Sequence, residues 1–164
     1  MACPLPTASA SARYVSDGYR VRLAPGVLAK ALRLARVRAP LETGGLLLGT
    51  VVDGEARVLA ITGPGRKAVR GRVGYDADRA HDNRLLGRVH PRLRYLGDWH
   101  THPGGPARLS RTDEASVREC LGPDRPEVLH LLLSGPSAMQ GQVVASVFTA
   151  VRGEAAIRRM EPVE

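Results

Sequence analysis

Aromatic side chains are scarce in this 164-residue sequence, at 4%, with a single Trp and a single Phe. A hydrophobic core must therefore be assembled from Val, Leu, Ile and Ala. Lysine is almost missing: Lys30 and Lys67 stand alone, and arginine carries the rest of the positive charge. Two cysteines occur, Cys3 and Cys120, too few for a disulfide framework, and a reducing, cytoplasmic compartment is the expectation. No apolar run approaches the ~18 residues that a membrane-spanning helix needs. The first residues also lack the apolar segment of a secretory signal. What is present, 43% hydrophobic and 24% charged residues, is the balance of a globular chain with one core.

The net charge is +8, and it is unevenly spread. Between Arg66 and Arg94 nine basic residues face three acids, Asp76, Asp78 and Asp82. Such a stretch suits nucleic acid, a membrane surface or an acidic protein partner. It suits a solvated arginine-rich surface equally well. Residues 1–18 are small and polar without periodicity and read as a flexible leader, 19–160 as a single domain and 161–164 as a tail. Alternation predicts a strand over Tyr19–Leu23. The run from Pro25 to about Arg38 predicts a helix with Leu28, Ala31, Leu32 and Ala35 on one face. Strands over Leu46–Val52 and Arg57–Ile61 should form a hairpin around Asp53-Gly54. A helix from Asp76 to about Val89 is expected to turn Ala80, Leu85 and Leu86 inward. Strands at Arg94–Trp99, Val128–Leu133 and Val143–Val151, with a helix at Arg111–Leu121, complete an α+β fold with a mixed sheet.

The informative stretch is Asp98 to Asp113, DWHTHPGGPARLSRTD. His100 and His102 end a predicted strand, where residues two apart share one side at roughly 7 Å along the chain. Two imidazoles so spaced can converge on one metal ion. The Pro103-Gly104-Gly105-Pro106 run turns the chain, Ser110 opens a helix, and Asp113 lies on its first turn. If the loop folds back, Asp113 becomes a third ligand. Two histidines and one carboxylate leave zinc an open position, the mark of a catalytic site. Amide hydrolysis then needs a general base and an oxyanion donor. Glu42, just ahead of Gly44-Gly45, is placed to be the base, and Ser110 Oγ to be the donor.

The pattern Glu42 … His100-Thr101-His102-Pro103 … Ser110-Arg111-Thr112-Asp113 resembles the JAMM signature of the MPN/JAB-domain zinc metalloproteases. The flanks ETGGLLLG and YLGDWHTHP are similar too, and the resemblance runs from about Tyr19 to Val151. It implies an MPN/JAB-like mixed sheet flanked by helices, in cytidine-deaminase-like layering. It also implies that His100, His102 and Asp113 bind one Zn2+, that Glu42 activates the attacking water, and that Ser110 holds the oxyanion. The substrate implied is a ubiquitin-like or sulfur-carrier protein, cut after its C-terminal Gly-Gly, with activating or conjugating enzymes in the same pathway. No membrane partner is expected, and nucleic acid is not the expected partner.

Other readings stay open at this point. Ser110 and Asp113 also fit a capping box, and an acid occupied as a cap does not easily ligate a metal at the same time. Asp98 shares the face of His100 and His102, where it either orients an imidazole or sits at the pocket rim. Trp99 should pack in the core. His81, His90 and His130 lack ligand-like neighbours and read as ordinary residues, and Cys120 as a buried thiol. The basic stretch could dock an acidic carrier. The competing functions are a zinc hydrolase of a small amino-acid conjugate and a non-catalytic MPN scaffold.

Overall fold

A computed structural model describes residues 11–163 of the chain. Nine strands form one mixed sheet, in the order β10-β9-β8-β7-β3-β4-β2-β1-β11. In chain order these are β1 (Ala12–Ser16), β2 (Tyr19–Leu23), β3 (Gly44–Val52), β4 (Glu55–Ile61), β7 (Arg94–Pro103), β8 (Glu127–Gly135), β9 (Val144–Val151), β10 (Arg158–Arg159) and β11 (Glu161–Val163). A separate ribbon pairs β5 (Val69–Arg70) with β6 (Tyr75–Asp76). The helices are α1 (Val27–Arg38), α2 (Arg79–Leu86) and α3 (Arg111–Glu119). The α+β fold class and the mixed sheet are as expected: β2–β4 and β7–β8 run parallel, the other pairs antiparallel.

Each face of the sheet has its own partner. Val27, Leu28, Ala31 and Ala35 of α1 are buried against a core holding Val58, Trp99, Leu129, Leu131 and Leu133. Trp99 is fully buried, as its sequence position predicts, and its indole N–H donates to the Thr62 carbonyl at 2.9 Å. On the opposite face Val117 of α3 packs with Val128 and Ala150. Burying the alternate residues of β7 on different faces divides labour along the strand: Trp99 anchors one side, and His100 and His102 are presented on the other.

Three expectations need correction. Residues 12–16, assigned to a leader, and 161–163, assigned to a tail, are strands that pair with each other and close one side of the sheet. The cause is a hairpin at Asp17-Gly18, whose φ values of 40° and 86° match the left-handed turn that such a dipeptide favours. Residues 1–10 of the leader, with Cys3, lie outside the described residues. The second helix is shorter than Asp76–Val89, because Asp78 caps it by accepting the His81 N–H at 3.0 Å. The inward face of that helix also differs: Ala80 is exposed, Leu85 and Leu86 are half-buried, and the residue it buries is Asp82.

Among the described residues no helix is long and apolar enough to cross a membrane.

Candidate active site

The site is built at the end of β7, in the middle of the sheet. Its neighbours β3 and β8 hold the strand on both edges, with Gly44 opposite His100 and Leu132 beside it. Close approach requires glycine here: a Cβ on Gly97 would stand 1.8 Å from the Leu129 carbonyl oxygen. After Pro103 the chain turns through Gly104, φ 74°, and returns at α3. Glu42 precedes β3. Its backbone N–H donates to the Gly71 carbonyl at 2.8 Å, and the next residue is clamped by reciprocal bonds between Thr43 and Thr101.

These elements bring together Glu42, His100, His102 and Asp113. The Nε2 atoms of the two histidines lie 2.9 Å apart. Asp113 Oδ1 is 3.4 Å from His100 Nε2, and Oδ2 is 3.3 Å from His102 Nε2. Glu42, His100 and His102 are all buried and offer ligand atoms within 4.8 Å of one another. Ser110 is exposed, and its Oγ accepts the Asp113 N–H at 3.1 Å while Asp113 Oδ2 accepts the Ser110 N–H at 2.7 Å. The capping box and the approach to the histidines thus coexist, contrary to the expectation that one would displace the other. A carboxylate has two oxygens with two lone pairs each, so Oδ2 seals the helix while Oδ1 remains open.

The tautomers decide what this cluster can hold. His102 Nδ1 lies 3.0 Å from the Pro106 carbonyl; a carbonyl only accepts, so Nδ1 carries the hydrogen and Nε2 presents a lone pair. His100 Nδ1 meets His130 Nε2 at 2.6 Å. When His100 donates in that bond, its Nε2 is a second lone pair. Two lone pairs and a carboxylate oxygen then converge with nothing to separate them but a shared cation. In a tetrahedral zinc site with bonds of about 2.0–2.1 Å, ligand atoms are about 3.3 Å apart, close to the His–Asp separations. The donor set fits a divalent ion.

Electrostatics agree with that division. Burial raises the Glu42 carboxyl above its ordinary value, against the pull of His100, His102 and the Gly74 N–H. Burial alone would raise Asp113 and lower His102, but hydrogen bonding between Asp113 and the imidazolium form, in which Nε2 also carries a hydrogen, reverses both. Asp113, also bonded by His100 and Ser110, is held well below the usual carboxylate range, and His102 lies above its usual value. Burial, aided by His100, holds His130 well below the usual imidazole value.

The structure refines the sequence readings of three neighbouring residues, Asp98, Cys120 and His130. Asp98 does not touch an imidazole; its Oδ2 accepts the Tyr95 hydroxyl at 2.9 Å and the Cys120 thiol at 3.5 Å. Cys120 is half-buried. The residue that contacts His100 Nδ1 is His130, which reads as unremarkable in sequence. Its signal is faint: a histidine inside the apolar strand VLHLLLS, on the even-numbered face. Only the parallel β7–β8 register reveals which imidazole it meets.

A fold with two helices against opposite faces of a mixed sheet, and a His-x-His strand end facing a helix-start aspartate, defines a JAB-type domain. Residues 25–151 match the family described as prokaryotic homologs of the JAB domain, and the chain belongs to that family. Among curated proteins it is 34% identical over 110 residues to a probable metalloprotease, y4qB, of Sinorhizobium fredii, covering 58% of this chain and 65% of that one. It is 30% identical over 131 residues to a CD-NTase/cGAS isopeptidase of Enterobacter hormaechei, covering 73% and 69%. The chain thus spans about two thirds of the length of these relatives. Among solved structures, protein DSY2949 of Desulfitobacterium hafniense superposes with a TM-score of 0.56 at 22% identity, over 87% of this chain and 88% of that one. A Salinibacter ruber protein gives 0.54 at 23% identity, over 85% and 88%. These two likenesses are of fold.

Proposed function

We propose that the chain is a zinc-dependent peptidase or isopeptidase that cuts the amide bond after the C-terminal Gly-Gly of a ubiquitin-like or sulfur-carrier protein. The observation that carries this reading is the convergence of three acceptor atoms, from His100, His102 and Asp113, beside the buried carboxylate of Glu42. The printed names of the two curated relatives, metalloprotease and isopeptidase, support the same chemistry.

In this reading His100, His102 and Asp113 hold the ion. When bound, zinc supplies Lewis acidity toward the scissile carbonyl and lowers the pKa of water to about 7. Glu42 takes the proton of the attacking water and delivers it to the departing amine, a role suited to a carboxylate whose basicity burial has raised. Ser110 keeps its hydroxyl hydrogen free while Oγ accepts the helix N–H, so it can donate to the developing oxyanion. The Gly-Gly tail is narrow and extended. The β5–β6 ribbon borders Glu42 through Gly71 and Gly74 and offers an edge for strand addition. Val69 and Val73 there are 65% and 94% exposed, and Arg70 and Arg72 belong to the basic stretch that would meet an acidic carrier.

The direct test is incubation with carrier fusions that continue past Gly-Gly. Cleavage after the second Gly is expected, lost with a chelator and restored by zinc. Cleavage of short unrelated peptides as fast as of the fusions would sink the carrier assignment, and chelator-resistant cleavage would sink the metal.

His130 acts in this scheme as a positioning residue, fixing the His100 tautomer from behind. His130→Leu should weaken zinc affinity by about 10–100-fold, and His130→Gln, which keeps an acceptor, should recover part of it. Competition with a chromophoric chelator reads both. Equal affinities in wild type and His130→Leu would remove the assignment.

A further inference from the structure

The second helix buries an acid where its sequence calls for aliphatic side chains. Asp82 is 8% exposed, yet its carboxylate has no hydrogen bond or ion pair among the described residues. It lines a cavity of about 430 Å³ that opens beside His100 and Asp113 and runs between α2 and α3 along the sheet. A largely buried carboxylate that makes no ion pair is costly unless something neutralises or solvates it, and among the described residues no cationic side chain pairs with Asp82, whose oxygens open onto the cavity.

The rest of the wall has the same character. Tyr75 lines the same cavity, its hydroxyl makes no hydrogen bond among the described residues, and its ring stands close to Gly44. Asp98 lies deeper, with Oδ2 taken by Tyr95 and Cys120 and Oδ1 uncommitted. Two arginines reach the cavity, and neither satisfies the acids. Arg79 extends into solvent toward Glu119 at 3.8 Å, and Arg125 lies over the Tyr95 ring at 4.5 Å while donating to the Cys120 carbonyl. Burial and the repulsion of Asp98 raise the Asp82 carboxyl against the pull of His81, a penalty that a bound cation would relieve.

We infer that this cavity binds a primary alkylammonium group, with Asp82 as its counter-ion and the Tyr75 hydroxyl oxygen as a second acceptor. Leu46, Leu86 and Tyr95, which line the cavity, take the methylenes, and the ammonium hydrogens meet the carboxylate and the phenol. Placed on a substrate, which rests on the amide-hydrolase reading, the ammonium belongs to the side chain or free amine of the residue leaving from the metal, because the cavity adjoins His100 and Asp113 as well as β6.

The test is calorimetric titration of the full-length protein with n-butylammonium and with 1-butanol, in the presence of chelator so that the amine cannot ligate zinc. Butylammonium is expected to bind about tenfold to a hundredfold more tightly than butanol. Asp82→Asn, nearly the same shape, should erase that preference, and Tyr75→Phe should reduce it several-fold. Thermal melts of both variants identify any loss of fold. Equal binding of the two probes, or an undiminished preference in a folded Asp82→Asn protein, overturns the inference. Because no catalysis is read, failure of the peptidase assay leaves this result standing, and failure here leaves the peptidase assay untouched.

Discussion

Replacing Glu42 by Gln should lower turnover on a cleaved fusion by about 10²–10⁴-fold while leaving the zinc content at one ion per chain. Gln keeps the length and the capacity to accept the Gly74 N–H that the carboxylate receives now, so the local loop has no reason to move. What disappears is the basic oxygen. The buried setting, with Glu42 6% exposed, removes the alternative of bulk water standing in for it. Metal analysis beside the kinetics separates two roles that distance alone would allow. Glu42 lies within ligand range of His100 and His102; loss of zinc in the Gln variant would make it a ligand, and full activity would deny it any part in proton transfer.

Asp113 gives the second large effect, and its double engagement makes the choice of variant matter. Asp113→Ala removes both the acceptor for the Ser110 N–H and the third metal oxygen. It should cost about 1 kcal/mol of stability for the lost cap and leave the protein unable to hold zinc or turn over. Asp113→Asn keeps a carbonyl oxygen for the cap but lacks the charge that pairs with the histidines. Its melting temperature should stay close to wild type in the metal-free state, while zinc affinity collapses as it does in the Ala variant and in His100→Ala. If both Asp113 variants retained stoichiometric zinc, the aspartate would be a cap only and the ligand set would have to be sought around Glu42.

How far the sequence reached differs by the range of the interaction. His100, His102 and Asp113 were legible because strand period, a Pro-Gly turn and a helix start lie within one short stretch, and local rules connect them. Glu42 was legible through its glycine flank and the family resemblance; its distance from the histidines depends on the β3–β7 register, which no local rule fixes. His130 was missed for that reason, since its contact with His100 exists only through a parallel pairing of β7 and β8. Asp98 shows the converse. Period two correctly put it on the histidine face, but Tyr95 and Cys120 reach it from the same strand and from the end of α3, and they claim its oxygen. The facing of the helix at Arg79–Leu86 is not legible from hydrophobicity, because the side it turns inward borders a polar cavity.

The bond from the Ser110 N–H to Asp113 Oδ2 has a bearing on how the centre assembles. In the proposed centre one side chain would both start α3 and complete the chelating triangle, so winding the first turn of that helix and capturing the ion would be thermodynamically linked. Fraying at this end would withdraw an arm of the chelate, and occupancy would in turn tighten the turn. The frame around β7 is braced on both edges, so under the proposed ligand set the order of this helix terminus would follow the ion.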